Sequence, residues 1–205
     1  MTEQMTEQSP PVPKFSAQRL LIVATGALGV CALPGWLGWL RESYPETETK
    51  VLLTRQAGTF VTPAALTAIG GRPVLHDVWP TEPTVAAPHV ELAQWADAVA
   101  VYPATFHFVS RFATGLADTP SLLALQCTTA PIGIAPALPP GGYKSYAFRS
   151  HLAALRNRPN VVVAAPEPGR SITSGLIEAS TAAPLTTLLP MIEKLRAELG
   201  EAGTS

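Results

Sequence analysis

The chain has 205 residues, the length of one domain with short tails, and its 47% hydrophobic content is enough for a sizeable buried core. Only 14% of residues are charged and the formal net charge is −1, which excludes nucleic acid and acidic membrane surfaces as partners. A surface this poor in charge implies that other subunits cover part of it, and 21 prolines with 15 glycines imply many turns.

In chain order, residues 1–17 (MTEQMTEQSPPVPKFSA) repeat MTEQ, turn Pro-rich and read as a disordered N-terminal arm. They lack the basic and apolar regions of a signal peptide. QRLLIVAT (18–25) predicts a buried first strand, and GALGVCALPGWLGWLRE a helix that Pro34 kinks or divides. The apolar run Leu20–Leu40 is broken by Gly26, Gly29, Pro34, Gly35 and Gly38, which favours strand, turn and buried helix over a membrane span. ETKVLLT (48–54) predicts a second strand. TPAALTAIGG predicts a short helix with Thr62 as cap, Pro63 as first residue and Gly70-Gly71 as its end.

PVLHDVW (73–79) predicts a third strand, followed by a Pro-rich loop through Pro88. HVELAQW (89–95) makes two helical turns and DAVAVYP (97–103) the next strand. FHFVSRFATGL and SLLALQCT predict helices, and PIGIAPAL (131–138) a strand. PPGGYKSYAF reads as a flexible loop, RSHLAALRN as a helix, VVVAAP as a short strand and PEPGRSITSG as a second mobile loop. PLTTLLPMIEKLRAEL closes the chain as an amphipathic helix with Lys194 and Arg196 in its last turns. Strands alternating with helices predict an α/β, doubly wound parallel sheet of flavodoxin-like or Rossmann-like type. The folded single domain runs over 18–196, with 197–205 as a C-terminal tail. Cys31 and Cys127 are too few for a disulfide framework or a metal site and read as buried free thiols of a cytoplasmic protein.

The first chemical signal is IVATGALG. A glycine turn that opens a helix beyond a strand offers free backbone amides to a phosphate, and the Thr25 hydroxyl can add to them. The pattern is not GxGxxG, so one phosphate fits better than the two of a dinucleotide. The second signal is PHVELAQWADAVAVYPAT, where His89 opens a helix that leads into a strand. Taken alone, His89 and His107 are surface or capping residues, and Asp118 a helix cap. His76 and His151 have no motif around them.

HVELAQWADAVAVYPAT followed by RFATGLAD resembles the core signature of the homo-oligomeric flavin-containing cysteine decarboxylases. TGALG resembles that family's first phosphate turn and LLTRQAGTFVTPAAL its second flavin-contacting segment; DVW also fits, and PGRSITSG resembles its late substrate clamp. The resemblance spans about residues 18–196. It implies FMN as cofactor and His89 as the catalytic residue. It places Gly26, Ala27 and Thr54 on the phosphate side, and Phe60, Pro103, Ala104, Thr105 and His107 around the isoalloxazine. It also implies a homo-oligomer, a homotrimer or a homododecamer of trimers, whose histidine reaches a flavin held by a neighbouring subunit.

Two departures bear on the substrate. IAPALPP stands where the family has P-x-M-N: Pro136 keeps the first position, but Pro139 replaces an asparagine that grips the substrate carboxylate, and proline offers neither amide side chain nor backbone N–H. Lys144 and Arg149, in or just after the adjacent loop, are candidate replacements. ITSG stands where the coenzyme A branch carries a cysteine, which favours the peptide-modifying, epidermin-type branch.

The implied reaction is oxidative decarboxylation of the C-terminal cysteine of a ribosomally made precursor peptide to an aminoenethiol. The flavin accepts a hydride from the cysteine Cβ, and His89 transfers the proton. A phosphopantothenoylcysteine decarboxylase-like enzyme and a non-catalytic flavin-binding homologue are the alternatives.

Overall fold

In the computed structural model, which describes residues 12–82, 85–172 and 174–202, strand β1 (Arg19–Ala24) is buried from Leu20 onward. A strand buried on both faces must be central, and β1 pairs in parallel with β2 (Glu48–Leu53) on one side and β4 (Ala98–Thr105) on the other. The six-stranded order is β3-β2-β1-β4-β5-β6, with β3 at Leu75–His76, β5 at Ile132–Ala137 and β6 at Val161–Val163. The chain winds outward from β1 to β3 and then returns to the opposite side of β1. The strand order therefore reverses between β1 and β4, where a doubly wound sheet opens a crevice.

Alternation along the strands divides the core. Leu20, Ile22 and Ala24 face α1 (Leu33–Ser43), α2 (Pro63–Gly70) and α7 (Leu185–Ala202), while Leu21 and Val23 belong to the layer of α3 (Pro88–Trp95), α4 (Phe106–Ala113), α5 (Pro120–Cys127) and α6 (Tyr146–Arg156). Helix α7 lies so close on β5 that a Cβ on Gly133 would fall 2.5 Å from Ile192 Cγ1. The helix starts follow their sequence cues. Thr62, Thr105, Thr119 and Ser145 each accept a bond from an amide of the first turn. Gly71 ends α2 with φ 70°. Pro34 divides its segment into a 3-10 turn, Leu28–Ala32, and α1.

Several expectations are corrected. The third strand shrinks to Leu75–His76, because Asp77 turns inward to accept bonds from the Ser121 amide and hydroxyl, both at 2.8 Å. PPGGYKSYAF is not a loop throughout: a 3-10 turn covers Gly142–Lys144, and the Ser145 cap starts α6 at Tyr146. PEPGRSITSG opens an antiparallel hairpin, β7 (Glu167–Arg170) with β8 (Ile177–Thr181), whose turn includes Thr173, outside the described residues. Both cysteines are exposed, not buried: Cys31 lies on the outer side of the 3-10 turn and Cys127 ends α5.

Of the expected N-terminal arm, residues 1–11 lie outside the described residues, while 12–17 lie against the body with Phe15 and Ala17 buried. The Tyr44 hydroxyl donates to the Pro13 carbonyl at 2.6 Å. Helix α7 continues to Ala202, through most of the expected tail. Among the described residues no helix is long and apolar enough to cross a membrane, and no group of His, Cys, Asp or Glu is arranged to hold a metal ion.

Candidate active site

Two cavities meet beyond the carboxyl ends of the central strands. The smaller, about 410 Å³, is polar and is lined by Thr25, Thr54, Arg55, Gln56 and Arg111 among others. The larger, about 620 Å³, runs from the Gly26–Gly29 turn past Phe106 to Leu138, Pro139 and the hairpin. They share Gly26, Thr105 and His107, and so form one crevice with a polar and an apolar compartment.

The turn after β1 is held by both the amide and the hydroxyl of Thr25, the amide donating to the Pro103 carbonyl at 3.3 Å. Buried Thr25 donates through Oγ1 to the Pro103 carbonyl at 2.6 Å and accepts from the Thr105 amide at 2.8 Å. Its hydroxyl ties the ends of β1 and β4 together, while the residue, expected from the sequence on the phosphate side, lines the smaller compartment. The Gly26 amide has no backbone partner among the described residues, and a Cβ at Gly26 would lie 2.5 Å from Gln56 Cγ and 3.0 Å from the Gln56 carbonyl carbon. Only glycine lets these two segments approach so closely. Thr54 Oγ1 donates to the Ala24 carbonyl at 3.1 Å, fixing the second segment to the first.

The remaining sequence-derived residues divide by position. Ala27 lines the larger compartment, and Thr105 lines both while its side chain caps α4. His107 is exposed where the compartments meet. Pro103 and Ala104 are buried in β4 behind the crevice, and Pro136 is buried in β5. Phe60 is 43% exposed and lines neither compartment. Lys144 and Arg149 line a separate cavity of about 560 Å³ with Tyr143 and Arg156, which shares no lining residue with the crevice.

His89 sits in the first turn of α3 and also lines neither compartment. Its Nδ1 is buried without a hydrogen-bond partner among the described residues, and its ring meets Trp79 edge-on at 5.7 Å. Trp79 Nε1 donates to the Asp118 carbonyl at 2.8 Å, and the Asp118 carboxylate pairs with Arg111 of the smaller compartment. The histidine's platform is thus tied to the crevice wall although the histidine itself stands outside it. Behind β4, Trp36 Nε1 donates to the Tyr102 hydroxyl at 2.8 Å; burial raises the Tyr102 pKa above its ordinary value, the Trp36 bond opposes this, and the Glu167 charge adds to it.

Arg55, Gln56, Arg111 and Arg170 were not singled out from the sequence. Arg55 and Gln56 follow Thr54 directly in a flavin-segment string, which was the available signal. Arg111 and Arg170 reach the crevice only through the packing of α4 and the hairpin.

The sequence profile of the Flavoprotein family matches residues 10–196. The chain belongs to that family. This flavoprotein is 34% identical over 152 residues to cypemycin cysteine dehydrogenase (decarboxylating) from Streptomyces sp, covering 73% of its own length and 77% of the relative. It is 33% identical over 147 residues to the coenzyme A biosynthesis bifunctional protein CoaBC of Haemophilus influenzae, covering 71% of its own length; the match spans only 36% of that protein. The crystal structure of the cypemycin decarboxylase CypD superposes with a TM-score of 0.74 at 30% identity, covering 92% of this flavoprotein and 98% of that chain.

Proposed function

We propose that this flavoprotein is an FMN-dependent cysteine decarboxylase. It converts the C-terminal cysteine of a ribosomally made precursor peptide to an aminoenethiol in the cytoplasm, where the thiol stays reduced. The two-compartment crevice at the β1/β4 switch point carries this reading, together with the likeness to the cypemycin enzyme. FMN has one dianionic phosphate and one planar, largely apolar ring system. The polar compartment offers Arg55, Arg111 and the open Gly26 amide for the first, with Thr54 bracing the segment that carries Arg55, and the larger compartment offers apolar room for the second. The residues present therefore fit FMN.

When bound, FMN supplies the electron sink without which an unactivated cysteine cannot lose CO2. The protein orients and moves protons. Arg55 and Arg111 neutralise the phosphate, and Thr25 holds the turn so that the Gly26 amide stays aimed at it. Thr105 and His107 stand where phosphate side and ring side join. His89 takes the substrate proton at its imidazole. Because His89 lies outside its own chain's crevice, the site is completed by a second copy, and a trimer or an assembly of trimers is the arrangement proposed. Exposed Leu75, Val78, Trp79 and Val90, gathered near α3, give such an oligomer an apolar contact surface.

The deciding experiment is mass spectrometry of a Cys-terminated peptide incubated with the yellow holoprotein. The expected product is lighter by CO2 and two hydrogens. Consumption of 4′-phosphopantothenoylcysteine alone would move the protein to the small-thiol branch. No consumption of either would leave a flavin-binding protein without this chemistry.

A further inference from the structure

We infer that Arg170 binds the α-carboxylate of the substrate's terminal cysteine and so makes a free C-terminus the feature this enzyme recognises; the inference rests on the proposed function. The larger compartment is lined mostly by backbone, small side chains and prolines. Pro139 and Pro140 on its rim have no N–H to donate. Arg170 is its one side chain with a permanent positive charge; His107 is the only other ionisable group on that wall among the described residues.

Arg170 is exposed, and no carboxylate pairs with it among the described residues. One guanidinium N–H is used, by the Gly175 carbonyl, which leaves the remaining donors for a ligand. Of the two acids on the hairpin, Glu178 is engaged by the Ser174 hydroxyl, and Glu167, at the far end of β7, forms no ion pair with Arg170 among the described residues.

The position of Arg170 is set by the fold. The hairpin is docked on the end of β5 by a reciprocal pair of bonds, Leu138 N to Ser180 O at 2.8 Å and Ser180 N to Leu138 O at 3.1 Å. Beside Arg170, Gly169 lets β7 press on β8: a Cβ there would meet Thr181 Cγ2 at 2.2 Å. Both anions of the reaction thereby acquire their own cations. The cofactor phosphate has Arg55 and Arg111 in the smaller compartment, and the substrate carboxylate has Arg170 in the larger. Lys144 and Arg149 line a separate cavity that shares no lining residue with either compartment.

The chemistry fixes how the role is read out. An arginine on the substrate carboxylate does not touch the Cβ and sulfur atoms that are oxidised, and the carboxylate keeps its charge through that oxidation. The arginine therefore holds bound substrate and oxidation transition state alike. Its loss should appear in KM and not in kcat. The test uses flavin-loaded protein with two peptides that differ only in ending as Cys acid or Cys amide. Wild type should turn over the acid and bind the amide, measured as a competitive inhibitor, about 10–100-fold more weakly.

Arg170→Gln should raise KM for the acid by a similar factor, keep kcat nearly unchanged and bind acid and amide alike. Arg170→Lys should recover part of the preference, and Arg170→Met serves as the test if the glutamine variant loses flavin or oligomer. An Arg170→Gln protein that keeps both its KM and its acid preference overturns the inference; where glutamine cannot be examined, so does an Arg170→Met protein that keeps its acid preference. If wild type still consumes the acid peptide in those cases, the proposed function stands. A wild type that consumes no Cys-terminated peptide overturns both.

Discussion

The Thr25 hydroxyl and the Pro103 carbonyl, 2.6 Å apart, join the ends of β1 and β4 at the point where the sheet reverses its winding. The same oxygen accepts from the Thr105 amide at 2.8 Å. Thr25→Val keeps the shape but takes from the Thr105 amide its hydroxyl acceptor and leaves the Pro103 carbonyl with only the 3.3 Å bond from the residue 25 amide. It should cost about 1–3 kcal/mol in unfolding free energy and weaken flavin binding, while Thr25→Ser should restore both. Denaturant titration with flavin-fluorescence titration decides. An unchanged flavin affinity in Thr25→Val would show that the tie does not shape the crevice.

Gly26→Ala should be a binding defect more than a folding defect. The added Cβ would meet Gln56 at 2.5 Å, and because the Gln56 carbonyl carbon is also within 3.0 Å, rotation of the side chain cannot relieve the overlap. The two segments must separate, and both face the polar compartment. The expected result is a folded, colourless protein whose affinity for added FMN is lowered. A yellow Gly26→Ala protein with wild-type FMN content would contradict this.

Glu193 gives the N-terminal segment a pH dependence. Its carboxylate accepts from the Ser16 amide at 3.0 Å and the Ser16 hydroxyl at 2.5 Å. Burial pushes the Glu193 pKa up, but the two Ser16 bonds and the charges of Arg196 and Lys14 outweigh it, and the net position is below the ordinary glutamate value. A carboxyl with a depressed folded pKa stabilises the fold fully above its unfolded value of about 4.3, and that contribution is lost as pH falls through the lower folded value. Proteolysis at residues 12–17 should therefore be slow at neutral pH and accelerate in acid below about pH 4. Glu193→Gln should be cleaved readily at both. Equal protection of the variant at neutral pH would show that Phe15 and Ala17 alone hold the segment.

The winding of the sheet was legible in the sequence because each central strand is a short apolar run, and four helix starts carry a capping Thr or Ser while α1 and α3 carry a proline in their first turn. The hairpin was not. PEPGRSITSG has loop composition, and its strands are held by docking on Leu138, a partner some 40 residues away that no local pattern announces. The cysteines were misjudged for a related reason. Their neighbours are apolar, but Cys31 follows buried Val30 on a 3-10 turn and so points outward. At the site, glycine and threonine positions were legible as motif. Arg55, Arg111 and Arg170 were not, since an isolated arginine has no sequence signature and three different elements bring these together.

The last prediction concerns whose crevice His89 serves. In its own chain the ring lines neither compartment, yet it is held at Trp79, whose indole is bonded to the residue that pairs with Arg111 of the crevice. A histidine placed beside the crevice but outside it, with its Nδ1 unpartnered among the described residues, suits a site completed by a second copy. His89→Asn should keep fold, oligomer and flavin and lose about 10²–10⁴-fold in turnover, the usual contribution of a general acid or base. Gly26→Ala should be inactive for the separate reason that it does not hold FMN. If His89 acts within its own chain, mixing the two variants rescues nothing, because every chain has one defect. If it acts on a neighbour's crevice, mixed oligomers contain some sites with an intact flavin from one chain and an intact histidine from another. Co-expressed variants should then recover a substantial fraction of wild-type activity, and separately purified variants mixed without subunit exchange should not. A mixed oligomer, verified by differential tagging, that stays as inactive as its parents would place the catalytic base in its own chain's crevice or at another residue; an unimpaired His89→Asn single variant would remove His89 from the chemistry altogether.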